Sequence, residues 1–205
     1  SLHIGGAAEL LRDFPRVRLT DSSAPDHSTI HQQLQRLFQQ RGIKTDHLAA
    51  GDSFRLSREV TAHVLFPPRV LLANISDDQA YVIQLVVAPS TSILLMSDSG
   101  EKTENSLLAY GLNLRSDIII KGQHHSGQSG SNRFLDAVRP QLIIATSRDF
   151  PEYERISDEW TERMRARCIK LFRQDETGAV TVRVSRDGWE AQSYLTGETF
   201  RSSSR

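Results

Sequence analysis

The sequence has very little cysteine, no long apolar run and no excess charge of either sign. Among 205 residues the only cysteine is Cys168, which excludes an internal disulfide and leaves the redox compartment open. The longest apolar stretches, residues 81–88 and 93–96, are far shorter than the roughly 20 residues that span a bilayer. No basic segment followed by an apolar run is present, so the sequence predicts neither a signal peptide nor a transmembrane segment.

The balanced charge excludes a global attraction to nucleic acids or membranes. Lysine and arginine together number 25, as do aspartate and glutamate, so the formal net charge is zero. Any attraction to a polyanion must therefore come from a local group of basic side chains. With 38% hydrophobic residues and no internal repeat, the composition is that of a single globular domain with a sizeable core.

Apolar periodicity predicts alternating helices and strands. Helices are predicted at residues 7–14, 29–41, 101–110, 132–138 and 156–168. Strands are predicted at residues 17–20, 43–48, 54–56, 60–65, 81–88, 92–97, 117–121, 142–145, 180–184 and 189–194. In the last helix, Ile156, Trp160, Met164 and Cys168 share one face. Elements of both kinds around a central meander favour a layered α/β domain with sheets inside and helices outside.

Polar side chains that can bind metal follow two consecutive predicted strands. Asp98 follows residues 92–97, and His124 and His125 follow residues 117–121. Side chains at strand ends project into the crevice where open α/β sheets bind ligands, so these groups are expected to converge. The Asp98 carboxylate could bridge two metal ions or could cap the helix near Glu101. One imidazole could ligate while the other orients it, or both could be exposed loop histidines.

A third candidate opens the chain. His3 precedes Ile4-Gly5-Gly6 and the first predicted helix. The two glycines allow a sharp turn and a close approach of the backbone, and the helix N-terminus offers unpaired N–H groups to an anion. Alone, this pattern also fits an ordinary histidine in a turn before a helix.

In this order, the His-x-Gly-Gly block, the strand-end Asp98 and the His124-His125 pair resemble the metallo-β-lactamase superfamily. Further blocks resemble the C-terminal domain of ComEC-family competence proteins over nearly the whole chain. These blocks are Ala50-Gly51-Asp52, Val64-Leu65-Phe66-Pro67-Pro68, Ser97-Asp98, the segment Lys-Gly-Gln-His-His-Ser-Gly at 121–127, Phe-Leu-Asp-Ala-Val-Arg-Pro at 134–140, and Asp-Glu-Thr-Gly-Ala-Val-Thr at 175–181.

The resemblance implies an αββα sandwich of the metallo-β-lactamase type without its N-terminal strands. It places this incomplete domain at residues 1–200, followed by a polar tail, 201–205, that is expected to be disordered. It also implies a bacterial membrane protein that imports single-stranded DNA, with this domain extracytoplasmic and joined to the membrane channel domain of the same polypeptide. The domain would be a nuclease that degrades the strand not taken up.

The same resemblance implies a site with one or two divalent ions, Zn²⁺ or Mn²⁺. His3, Asp98 and His125 correspond to the ligand positions, with Asp98 as the bridge. His124 would contact phosphate or support the ligands, so the catalytic residues would be His124 and Asp98. The metal would clamp a phosphodiester and lower the pKa of a bound water. The residues alone do not decide which of the two histidines is the ligand.

Basic side chains supply candidate contacts to DNA phosphate. Lys121, Arg139 and Arg148 are expected near the strand ends, although Lys121 could instead extend its ammonium group to water. A larger basic group on the 156–168 helix and its exit is interleaved with glutamates, so a solvated helix face is expected there. That group comprises Arg155, Arg163, Arg165, Arg167, Lys170 and Arg173.

The sequence also departs from the family pattern. Leu2 stands where the family has a metal-binding Asp, and two further family ligands would precede Ser1. Ser97 replaces a glycine before Asp98, and Ser126-Gly127 inverts the family's Gly-Ser. Because leucine cannot coordinate a metal, one alternative to the nuclease is a non-catalytic DNA-binding or structural module of the same fold. A separate alternative is a soluble metallohydrolase for a small phosphoester.

Overall fold

The computed structural model describes residues 7–14, 19–22, 29–70, 77–88, 91–124, 129–146 and 155–202. The helices are α1 (Ala7–Asp13), α2 (Thr29–Gln40), α3 (Glu101–Ala109), α4 (Asn132–Val138), α5 (Asp158–Ala166) and α6 (Gln174–Thr177). The strands are β1 (Leu19–Ser22), β2 (Thr45–Leu48), β3 (Ser53–Arg55), β4 (Val60–Phe66), β5 (Val82–Val87), β6 (Thr91–Ser97), β7 (Ile118–Lys121), β8 (Leu142–Ala145), β9 (Lys170–Arg173), β10 (Val180–Ser185), β11 (Gly188–Ser193) and β12 (Thr199–Arg201).

The main sheet has seven strands in the order β3-β4-β5-β6-β7-β8-β9. Strands β3 to β6 form an antiparallel meander, whereas β6 to β9 run parallel. In this register Ser97 lies opposite Lys121, Lys121 opposite Ala145, and Ala145 opposite Arg173. We call the edge at which these four strands end the carboxyl edge. It is where sheets of this kind bind ligands.

Both faces of the parallel strands are covered, which explains their nearly continuous apolar sequences. Side chains alternate between the faces along each strand. Ile119 and Ile143 pack with buried residues of α3, α4 and α5. Their neighbours Ile118 and Ile144 pack instead against β10 and β11, in the three-stranded sheet β10-β11-β12. The described residues therefore include a helix layer, the seven-stranded sheet and a smaller second sheet.

Strands β1 and β2 form a separate parallel pair next to α2. The Tyr81 hydroxyl donates to the backbone carbonyls of Asp21 and of Leu48, the latter at 3.1 Å, and so ties this pair to the start of β5. Burial raises the pKa of Tyr81 to about 12. The Asp21 carboxylate also contacts His31 Nε2 at 2.8 Å, which joins α2 to β1.

The chain turns from β9 into β10 through the Asp-Glu-Thr-Gly block noted above. Arg173, buried at the end of β9, donates to Asp175 Oδ2 at 2.7 Å, and the Thr177 hydroxyl donates to the Arg173 carbonyl at 2.7 Å. Gly178 has a φ of +67°, and a Cβ there would lie 2.7 Å from Leu195 Cγ. The polar side chains of this block therefore make specific contacts that shape the turn from β9 to β10.

The predicted mixed α/β class is confirmed, and most predicted elements lie within a few residues of the observed ones. An αββα sandwich also requires a second helix layer, on the outer face of the three-stranded sheet. The sandwich therefore stays a prediction. Within the described ranges no helix is long and apolar enough to cross a membrane.

Three element predictions need correction. Helix α5 begins at Asp158, and Cys168 lies beyond its end, exposed and with a φ of +56°. Residues 170–173 form strand β9 rather than a solvated helix face, with Arg173 buried. Arg201 belongs to β12, which pairs with β11, so the predicted tail can begin only after Ser202.

Candidate functional site

Asp98 lies at the carboxyl edge, immediately after β6. The preceding Ser97 has a φ of +50°, in the left-handed region that favours glycine. The N-cap of α3 is Gly100, and it makes no side-chain capping bond. Asp98 is therefore not the cap of this helix, and that alternative for its role is wrong.

The Asp98 carboxylate rests on a glycine of the neighbouring strand end. A Cβ at Gly122 would lie 1.7 Å from Asp98 Oδ1 and 3.3 Å from Thr146 Oγ1. The Gly122 N–H donates to the Ser97 carbonyl at 2.7 Å, and the Thr146 N–H donates to the Lys121 carbonyl at 2.8 Å. These bonds hold the ends of β6, β7 and β8 together, so that only glycine fits beside Asp98.

His124 faces a buried carboxylate that sequence reasoning missed. His124 Nε2 lies 3.4 Å from Asp78 Oδ1, and both side chains are almost fully buried. Asp78 belongs to a short 3₁₀ helix at Asp77–Gln79, and its Oδ2 accepts a bond from Lys102 at 3.4 Å. Asp78 sits in a polar segment before β5, and no local pattern distinguishes it from a surface aspartate.

Lys121 does not extend to water. Its side chain is buried, and Nζ donates to the Gly122 carbonyl at 2.8 Å and to Ser129 Oγ at 2.7 Å. Burial lowers the pKa of Lys121 to about 8, against the opposing attraction of Glu104 and Asp98. Nζ also lies 5.8 Å from the centre of the Trp160 ring. The ammonium group is thus part of the interior behind the carboxyl edge.

Glu104 is a second buried charge that the sequence did not reveal. It lies in α3 and accepts hydrogen bonds from the backbone N–H groups of Gly130, at 2.5 Å, and Ser131, at 2.9 Å. Ser131 is the N-cap of α4. Glu104 therefore connects α3 to the start of α4, on the helix side of the site.

Arg139 lies at the opposite edge of the sheet. It is the C-cap of α4, in the left-handed conformation with a φ of +54°, and it precedes the start of β8. The adjacent Val138 carbonyl accepts a bond from the Ser116 N–H, before β7 begins. Because β7 and β8 run parallel, the length of a four-residue strand, roughly 10 Å, separates Arg139 from the carboxyl edge. The structure does not bring Arg139 to Asp98.

Three of the predicted site residues, His3, His125 and Arg148, lie outside the described residues. Within the described ranges, no group of three or more His, Cys, Asp or Glu side chains is placed to hold a metal ion. The described part of the predicted site is therefore Asp98 on Gly122, His124 with Asp78, and the buried Lys121.

A cavity of about 370 Å³ lies on the helix side of the carboxyl edge. Its lining includes Glu101 at the start of α3, the N-caps Ser131 and Ser157 of α4 and α5, and Arg163. Side chains of both charge signs thus line the cavity, so it does not favour a ligand of one charge.

The chain is similar to curated competence proteins. Over 120 residues, 58% of this chain, it is 37% identical to Competence protein ComA of Neisseria gonorrhoeae. Over 181 residues, 88% of this chain, it is 20% identical to ComE operon protein 3 of Bacillus subtilis (strain 168). These matches cover 17% and 23% of the two proteins, so the chain spans about a fifth of their length. No protein-family model matches. The predicted relationship to competence proteins is confirmed, whereas the metallo-β-lactamase assignment stays a prediction.

Proposed function

We propose that this chain is a domain of a competence protein acting in DNA uptake, and that it is a metal-dependent phosphodiesterase that cleaves DNA. The observation that carries the proposal is the Asp98 carboxylate held against Gly122 at the carboxyl edge. His124, which follows the neighbouring strand, lies beside the buried carboxylate of Asp78. The relatives named as competence proteins supply the biological setting.

We assign a divalent cation, Zn²⁺ or Mn²⁺, to this edge of the sheet. Asp98 supplies a carboxylate of the kind that binds such ions, packed against Gly122 at a strand end. We assign the further ligands to His3 and His125. When bound, the metal would lower the pKa of a coordinated water and polarise the phosphodiester.

His124 and Asp78 would act as a unit. His124 Nε2 faces Asp78 Oδ1 at 3.4 Å, so the carboxylate helps to orient the buried ring. We assign His124 to contact phosphate or to support the ligands, while His125 holds the metal.

The proposal includes a location and partners. The full-length protein would lie in the bacterial cell membrane, with this domain extracytoplasmic and next to the membrane channel domain of the same polypeptide. Its substrate would be DNA, either single-stranded or the strand that is not taken up. Because Lys121 is buried and Arg139 lies at the opposite edge of the sheet, we assign the phosphate contact at the carboxyl edge to Arg148.

A second candidate is a non-catalytic module of the same fold that binds DNA or braces the channel. Leu2 favours it, because leucine stands at the family's metal-binding Asp position and cannot coordinate a cation. A metallohydrolase for a small phosphoester is a third possibility that the same site chemistry allows.

The test compares metal content and DNA cleavage in the full-length protein and its Asp98→Asn variant. Asp187→Asn is the matched control, because Asp187 is exposed in the turn before β11. We expect bound Zn²⁺ or Mn²⁺ and cleavage of labelled DNA. Asp98→Asn should reduce cleavage at least about 100-fold by removing a metal ligand, while Asp187→Asn has no effect.

Other outcomes identify the alternatives. Salt-dependent binding of single-stranded DNA, without metal or cleavage, would replace the nuclease with the non-catalytic module. Hydrolysis of bis(p-nitrophenyl) phosphate without DNA cleavage would favour the small-phosphoester hydrolase. DNA cleavage that survives Asp98→Asn would show that Asp98 is not in the active site.

A further inference from the structure

Lys121 connects two points of the backbone on either side of His124. Its Nζ donates to the carbonyl of Gly122, two residues before His124, and to the hydroxyl of Ser129, five residues after it. Only 6% of Lys121 is exposed. The ammonium group thus links Gly122 directly to Ser129.

Ser129 is held by further contacts. Its carbonyl accepts a bond from Trp160 Nε1 at 3.1 Å and another from Arg163 Nη2 at 2.9 Å. The next two N–H groups, those of Gly130 and Ser131, donate to Glu104, which is 1% exposed. Gly130 has a φ of +69°, and a Cβ there would lie 3.1 Å from Trp160 Nε1, so glycine is required at this crowded point.

Burying the Lys121 ammonium group and the Glu104 carboxylate is unfavourable in free energy. Removing an ammonium or a carboxylate group from water is unfavourable unless hydrogen bonds and an opposite charge compensate it. Here both charges bind backbone or loop atoms on the two sides of His124, and Glu104 attracts Lys121 electrostatically. An apolar pair could fill the volume, but it would leave the ends of this segment without directional contacts.

We propose that Lys121 and Glu104 are positioning residues that hold His124 at the carboxyl edge, rather than DNA-contacting residues. Lys121 fixes Gly122 to Ser129, and Glu104 fixes Gly130 and Ser131 to α3. Together they set the position from which His124 meets Asp78. The consequence for cleavage rests on the proposed function, but the positioning itself is measurable without any activity.

The experiment uses Lys121→Met and Glu104→Gln in the intact protein. Lys44→Met and Glu59→Gln are matched controls, since both side chains are exposed. NMR would follow amide hydrogen exchange at Gly130 and Ser131, with Ile119 and Ile143 as core references, and the imidazole resonances of His124. A His124→Gln variant would assign those resonances.

We expect exchange at Gly130 and Ser131 to accelerate at least about tenfold in both test variants. Glu104→Gln removes one of the two carboxylate oxygens that accept their N–H groups, and Lys121→Met removes the donor that holds the adjacent Ser129 hydroxyl. The His124 ring resonances should shift, while exchange at the core references and in both controls stays unchanged. In DNA cleavage, kcat should fall with little change in KM, which is the pattern of misplaced catalytic groups rather than lost binding.

Should Lys121→Met fail to fold, Ser129→Ala carries the test, because it removes one acceptor of the ammonium group and keeps the charge. Folded variants with unchanged exchange and unchanged His124 resonances would overturn the proposal. A rise in KM and a smaller salt dependence with unchanged exchange would also overturn it and make Lys121 a phosphate contact. A wild-type protein that cleaves no DNA, but whose variants show accelerated exchange, would support positioning and end only the nuclease proposal.

Discussion

At the scale of single residues, Ser97 holds a backbone conformation that glycine adopts more readily. Its φ of +50° costs an L-residue roughly 1–2 kcal/mol, part of which a glycine would lose again to the greater freedom of the unfolded chain. We expect Ser97→Gly to raise the free energy of unfolding by about 0.5–1 kcal/mol in urea titration. Ser53→Gly, in strand β3, is the control and should be destabilising; a less stable Ser97→Gly would contradict the prediction.

Asp78 allows a second test at this scale. Asp78→Asn keeps the shape but removes the negative charge that faces His124 Nε2 at 3.4 Å. If the proposed function holds, DNA cleavage should fall about 10- to 100-fold, as when the carboxylate partner of a site histidine is removed. The fold should persist, which circular dichroism and urea titration would check.

The control for Asp78→Asn is Lys102→Met. Lys102 is exposed and contacts the other oxygen of Asp78, so this variant leaves the His124 contact in place. Its cleavage rate should stay within about twofold of wild type, because exposed ion pairs contribute little. Equal losses of DNA cleavage in both variants would mean that Asp78 supports the stability of the fold and not His124 in particular.

At the scale of elements, Arg173 joins β9 to α5 and α6. Its guanidinium donates to both oxygens of Asp175, at 2.7 and 3.3 Å, and to Thr161 Oγ1 at 3.4 Å. The hydrogen bonds with Asp175 raise the pKa of Arg173. Because both side chains of the pair are largely buried, removing the Asp175 charge takes away the main compensation for the Arg173 guanidinium.

We therefore expect Asp175→Asn to lower the free energy of unfolding by about 3 kcal/mol. Glu176→Gln is the matched control, since Glu176 also contacts Arg173, at 3.2 Å, but is mostly exposed. It should change stability by less than about 1 kcal/mol. Urea unfolding followed by tryptophan fluorescence measures both, and a control as damaging as Asp175→Asn would contradict the assignment.

Elements with strong local patterns could be predicted, and those that depend on partners could not. Strands β7 and β8 carry runs of isoleucine, and α4 starts at a serine cap, so their bounds followed from the sequence. Strand β9 was missed because it has a basic residue at each end and continues the basic sequence of α5. It is a strand because its backbone pairs with β8, which no local pattern contains.

At the scale of the whole molecule, a neutral chain with a pI near 7.1 has little global charge repulsion near neutral pH. The alkaline pH dependence of stability should then reflect Lys121, whose pKa burial lowers from 10.5 to about 8. Between these values the unfolded chain binds more protons than the folded one, so stability rises with pH. Above pH 10 the raised pKa of Tyr81, about 12, acts in the opposite direction.

We expect the free energy of unfolding of the metal-free protein to increase by about 2 kcal/mol from pH 7.5 to pH 10, the range in which Lys121 loses its proton only in the folded state. Urea titrations at intermediate pH values measure this slope. It should disappear in Lys121→Met, whereas Lys44→Met should retain it. A wild-type protein whose stability is flat or falls over this range would contradict the prediction.

The sequence by itself determined the order of the elements, the apolar runs of the parallel strands, and the placement of Asp98 and His124 directly after two of those strands. Those features depend on local periodicity and on strand direction. Only the tertiary structure decided that Lys121 is buried, that Arg139 lies at the opposite edge, and that Asp78 and Glu104 reach the segment around His124. Burial and contacts between distant segments depend on which neighbour packs across the sheet, and local sequence does not encode that neighbour.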